Sequence, residues 1–147
     1  MKQTDYSIST DTSRFDIDLI FRFLTTCYWA EGIPRDVVEK SIRNSLCFGV
    51  FDGDKQVGFA RVITDRATYA YIGDVFILES HRRRGLGKQL IQAIMEHPEL
   101  QGLRRWSLVT RDAHALYEQF GFTALAHPQR YMERHDPNVY TRRPGAK

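Results

Sequence analysis

Cysteine is nearly absent from this 147-residue chain, with Cys27 and Cys47 the only two. They make neither a CxxC pair nor a disulfide framework, so a reducing cytoplasm is the expected compartment. The five histidines are scattered without HxxxH or Cys/His spacing, which argues against a metal site. Long apolar runs are missing as well. The longest, Val75 to Leu78, is far short of a membrane span, and Met1 to Ser13 is too polar for a signal peptide. Internal repeats and low-complexity tracts do not occur. Charge is not strongly one-sided either: the net value of +3 is too mild to imply a nucleic-acid binder.

What is present describes one soluble α/β domain. Hydrophobic residues make up 42% of the chain and charged residues 27%. The positive charge is concentrated: Ser80 to Arg111 holds seven Lys/Arg (residues 82, 83, 84, 88, 104, 105 and 111) against Glu96 and Glu99. That surface should attract anions.

Hydrophobic spacing predicts the elements. "DYSIST" reads as a strand. A helix carries Phe15, Leu19, Ile20, Phe23 and Leu24, with Ser13 as its expected cap, and a second helix starts after Pro34. "LCFGVFDGDKQVGFARVIT" reads as a hairpin around "DGDK". "TYAYIGDVFIL" is expected to be central and buried on both faces. An amphipathic helix follows from Gly85 to His97-Pro98, then the strand "RRWSLVT". Asp112 is expected to cap "AHALYEQF", which Gly121 ends, before a strand at "GFTALA" and another at "RYMER". The order is β-α-α-β-β-β-α-β-α-β, with a mixed sheet. A single domain is expected over residues 5–135, and residues 136–147 are expected to form a partly disordered tail.

The stretch "HRRRGLGKQL", residues 81–90, joins a strand to a helix through two closely spaced glycines. A helix start leaves backbone N–H groups unpaired and carries partial positive charge, and glycine lets a ligand approach the main chain. The arrangement suits a pyrophosphate. It is neither a Walker A loop nor the dinucleotide GxGxxG. A solvated arginine-rich turn is the plainer alternative.

Arg82-Arg83-Arg84-Gly85-Leu86-Gly87 resembles the [R/Q]-x-x-G-x-[G/A] signature of the GNAT superfamily of acyl-CoA N-acyltransferases. "AHALYEQFGF", residues 113–122, resembles that superfamily's A-x-x-L-Y-E-x-x-G-F segment. "YWAEGIP", "VGFARVITD" and "TRDAHALYEQFGF" are further similar to small bacterial members without assigned substrates. The resemblance implies the GNAT fold, a central mixed and mostly antiparallel sheet flanked by helices. It also implies acetyl-CoA as cosubstrate, no metal, and transfer to a small-molecule amine in a ternary complex. No nucleic acid or membrane partner is implied, and a homodimer is left open. Two rival readings are a protein N-terminal or lysine acetyltransferase and a non-catalytic CoA-binding module.

By the same resemblance, the main chain of Arg83 to Lys88, including Arg84, Gly85, Leu86 and Gly87, would hold the phosphates, with Arg82 and Lys88 adding charge. Backbone groups of Phe76, Ile77 and Leu78 would face the pantetheine arm and the thioester. Tyr117 would be the general acid, the alternative being a core tyrosine with a satisfied hydroxyl. Asp74, a carboxylate inside an apolar strand, is either the base or a structural acid bonded to backbone or an arginine. Glu79 and His81 are lesser candidates for the base. Tyr28 and Trp29 would wall the acceptor site or pack in the core. Cys47 reads as core, and Cys27 as a thiol lacking a neighbouring base. Where the superfamily often has Asn before the tyrosine helix, this chain has Thr110-Arg111-Asp112.

Overall fold

A computed structural model describes residues 6–142. Five strands form one sheet in the order β1-β2-β3-β4-β5: β1 Tyr6–Ser9, β2 Leu46–Asp52, β3 Lys55–Thr64, β4 Tyr69–Ile77 and β5 Arg105–Leu108. The first four are antiparallel neighbours, and β5 runs parallel to β4. The helices are α1 Ile17–Thr26, α2 Arg35–Arg43, α3 Leu86–Glu96, α4 His114–Glu118 and α5 Val139–Arg142.

Side chains alternate across the sheet and build one apolar cluster on each face. Leu46, Phe48 and Val50 of β2 join Leu90, Ile91 and Ile94 of α3 on one side. Cys47 and Phe51 join Ile20 and Leu24 of α1 and Val38 of α2 on the other. Gln56, buried in β3, ties α1 to the sheet: its Oε1 accepts from the Asp16 N–H at 2.7 Å and its Nε2 donates to the Gly58 carbonyl at 3.0 Å.

Several expectations are corrected. Asp16, not Ser13, caps α1, its Oδ1 accepting from the Leu19 N–H at 3.0 Å. Ser13 instead sits in a 3-10 turn, Thr12–Arg14, capped by Asp11. Asp112 does not cap α4: the helix begins at His114 after Ala113, with no side-chain cap, and the Ala113 N–H donates to Thr110 Oγ1 at 3.0 Å. Strand β4 is not buried on both faces. Ala70, Ile72 and Phe76 are buried, while residues 73–75 stay partly open because a cleft lies beside them. "GFTALA" and "RYMER" form no strand. Phe122 spends its apolar surface on ring contacts with Trp106 and Tyr117 rather than on pairing along β5.

Residues 143–147 of the expected tail lie outside the described residues. Val139–Arg142 is a helical turn, and Tyr140 packs against the cluster under α1 and α2.

Candidate active site

Strands β4 and β5 pair only as far as Ile72 opposite Leu108. Beyond that point residues 73–77 keep β3 on one side and, among the described residues, have no strand on the other. The break coincides with a β-bulge. Phe59 pairs with Phe76 and Arg61 with Gly73, so β4 carries one residue more than β3 across this interval. Asp74 occupies the bulge with φ of +54°, the left-handed region that Asp and Asn tolerate better than most residues. A cleft of about 900 Å³ opens along the freed edge.

One end of the cleft is the glycine turn. Arg82, Arg83, Gly85, Leu86 and Gly87 line it. Gly85 precedes α3 with φ of +77°, and no side chain caps the helix. A Cβ added at Gly85 would meet nothing within 4 Å, and one at Gly87 only Leu116 Cδ2 at 4.0 Å. The space over the turn is therefore open, and the fit to a phosphate-bearing ligand is good. Arg82 braces the turn, its Nε donating to the Ile77 carbonyl at 2.9 Å. Arg84 points elsewhere and donates to Tyr6 Oη at 2.6 Å. Arg84, Lys88 and Leu78 do not line the cleft. The Leu78 N–H is already committed to the Val57 carbonyl at 2.8 Å, while Phe76 and Ile77 do reach the cleft wall.

Tyr117 also lines the cleft. Its ring is buried, 7% exposed, and meets Phe122 edge-on at 5.9 Å. Its hydroxyl bonds to no described residue, yet no polar side-chain atom among the described residues is both buried and unpartnered. The hydroxyl therefore opens to the cleft that the residue lines. Burial holds the phenol above its ordinary value of 10.0, so it stays protonated at neutral pH.

At the other end the acidic and aromatic candidates meet. Trp29 Nε1 donates to Asp74 Oδ1 at 2.9 Å, and Arg61 Nε donates to Asp74 Oδ2 at 2.7 Å. Arg61 also reaches Ser45 Oγ at 3.2 Å. Tyr28 meets Trp29 edge-on at 5.2 Å, and the Arg111 guanidinium lies 3.8 Å over the Tyr28 ring. Tyr71 and Tyr140 complete the wall. His81 lines the cleft with both ring nitrogens engaged, by Ser80 Oγ at 2.7 Å and Asp52 Oδ2 at 3.1 Å. Glu79 is exposed and does not line it. Burial pushes the thiol of Cys27 up, and its Sγ donates to the Leu24 carbonyl at 3.1 Å.

Sequence reasoning assigned no site role to Arg61, Tyr71, Arg111 or Tyr140. Arg61 had a readable signal in hindsight, since an arginine in the otherwise apolar "VGFARVIT" needs a buried acid nearby. Tyr140, from a segment assigned to the tail, had none.

The site is thus an open cleft where adjacent strands of an α/β sheet part beside an uncapped glycine turn. The acetyltransferase (GNAT) family model matches residues 17–122, and the chain belongs to that family. A crystal structure from Xanthomonas campestris pv. campestris, of a protein described as belonging to the GNAT family, is 52% identical. It superposes with a TM-score of 0.91, covering 95% of this chain and 99% of that one. An acetyltransferase-family protein of Gibberella zeae is 33% identical over 77% of this chain and 76% of its own length. A Clostridium acetobutylicum protein crystallised with acetyl-CoA shares the fold at 15% identity, with a TM-score of 0.65 over 90% of this chain and 96% of that one.

Proposed function

We propose that the protein transfers an acetyl group from acetyl-CoA to a primary amine of a small molecule, by direct attack in a ternary complex. The observation that carries this reading is the continuity of the cleft. One space runs from the open glycine turn, past the Tyr117 hydroxyl, to the aromatic end at Tyr28 and Trp29. The acetyl-CoA held by the Clostridium protein of the same fold supports the choice of donor.

In this reading the first-turn amides of α3 and the charge of Arg82 and Arg83 hold the pyrophosphate. The freed edge of β4 at Phe76 and Ile77 offers backbone groups to the pantetheine arm. The amine nitrogen attacks the thioester carbonyl, a C–N bond forms and the C–S bond breaks. Tyr117 gives its proton to the departing sulfur and regains one from solvent. Asp74 faces the attacking amine. Each carboxylate oxygen accepts one bond already, from Trp29 or Arg61, and keeps a second lone pair for the proton the amine loses. Direct attack is favoured over an acyl-cysteine route, because burial holds Cys27 in its poorly nucleophilic thiol form.

The test joins binding to turnover. CoA should raise the melting temperature of the wild type, since it binds the folded state. Gly87→Glu should abolish that shift without unfolding the protein, given the open space at Gly87. Amine-dependent CoA release across a panel of small amines and one peptide then identifies the acceptor. An equal thermal response of both proteins, or no amine-dependent release, rules the reading out.

A further inference from the structure

We infer that the acceptor amine carries an oxyanion, a carboxylate or a phosphate, which Arg111 holds at the aromatic end of the cleft. The inference rests on the acetyl-transfer reading for the amine and adds the chemical class of the molecule that bears it.

The charges facing this end are Arg61, Asp74, Arg111 and Asp112. Arg61 and Asp74 neutralise each other at 2.7 Å, with side chains only 20% and 10% exposed. Arg111 is different. Its guanidinium is stacked on Tyr28, which fixes the plane, and no ion pair joins it to Asp112 or to any other described acid. A guanidinium held by its face against an aromatic ring still presents its N–H edge, and that edge matches two oxygens of one anion. Arg82 and Arg83 lie at the opposite end, beside the glycine turn, so they do not compete for this anion.

Tyr28 and Trp29 are 55% and 42% exposed although both are large aromatic side chains. They form an edge-to-face aromatic wall between Arg111 and Asp74, because Trp29 bonds to Asp74 and Tyr28 carries Arg111. An acceptor lying along that wall would place its amine toward Asp74 and its anion toward Arg111, with an apolar side chain against the two rings. An amino carboxylate with an aromatic side chain meets all three requirements.

The experiment compares phenylalanine with phenylalaninamide, and 2-aminoethyl phosphate with ethanolamine, in wild type and in Arg111→Gln. The readout is the kcat/KM ratio within each pair. Comparing that ratio between the two proteins cancels differences in amine basicity. One pair should show a ratio at least about tenfold larger in wild type, as expected for loss of a charge-assisted bond, and that pair names the anion. Equal ratios in the two proteins for both pairs overturn the inference.

A second arm needs no turnover. The chain has two tryptophans, so in a Trp106→Phe background the fluorescence of Trp29 reports acceptor binding to the CoA-loaded protein. Tighter binding of the anionic partner to this background than to its Arg111→Gln derivative supports the inference, and equal binding overturns it. Absence of transfer to every amine would remove the acetyl-transfer reading while leaving this arm to decide the acceptor class.

Discussion

At the scale of one residue, Tyr117 separates an enzyme from a binder. Its ring is packed like a core side chain while its hydroxyl opens to the cleft. Tyr117→Phe therefore keeps the packing against Phe122 and removes the hydroxyl alone. A positioned general acid contributes about 10²–10⁴-fold. Turnover of the variant should fall at least about tenfold once chemistry limits the rate, with CoA affinity by calorimetry changed little. The pH profile adds a second reading. Burial raises the phenol above 10.0, so the wild-type rate should decline only as pH rises beyond that value, and the decline should vanish in the variant. Undiminished turnover would make Tyr117 a packing residue and water the donor.

At the scale of an element, the bulge in β4 makes the site. It turns Asp74 toward Trp29 and Arg61 and lies where the pairing with β5 stops. Asp74→Asn is the informative change, because Asn tolerates the left-handed backbone at φ of +54°. The variant should bind CoA within about threefold of wild type. It should lose stability by about 1–3 kcal/mol, since Arg61 keeps its charge without a counter-ion. Transfer should fall most at low pH, where the amine is mostly protonated. A loss of stability with an unchanged pH-rate profile would assign Asp74 to structure alone.

The elements also show what a sequence can carry. The hairpin around "DGDK" and the glycine turn before α3 were legible because their turn residues have local requirements. The pairing of Asp74 with an arginine was one of two readings open at that position, and the ion pair with Arg61 is now plain. The bulge was not legible, because an extra residue in β4 exists only relative to its count against β3. The expected strands after Gly121 failed for a related reason. Short apolar runs alternate equally well when their side chains cover a neighbouring face, as Phe122 does.

At the scale of the whole molecule, the two faces of the sheet hold separate apolar clusters, and Cys47 reports on the one beneath α1 and α2. It is 1% exposed, and burial pushes its thiol from 9.0 up to about 12. Below pH 9 the thiol is protonated in both folded and unfolded chains. Above it the unfolded chain ionises first, so this group's contribution to stability is lost as pH rises toward 12. The slope from one such group is about 1.4 kcal/mol per pH unit. Between about pH 9 and 10.5, denaturant unfolding of Cys47→Ala should show a shallower fall in stability than wild type, whatever the offset from its cavity. Parallel slopes would mean that the thiol ionises equally in both states.

The cleft draws its two ends from different stretches of chain. The glycine turn and the edge of β4 are consecutive, residues 76–87, whereas the aromatic end gathers Tyr28, Arg61, Arg111 and Tyr140 from four separate places. On the proposed function, donor recognition would lie in one short cassette. The acceptor end is instead drawn from a strand, a helical turn and two connecting segments, so substitutions at Tyr28 or Arg111 in the connecting segments would alter the choice of amine while leaving the donor end intact.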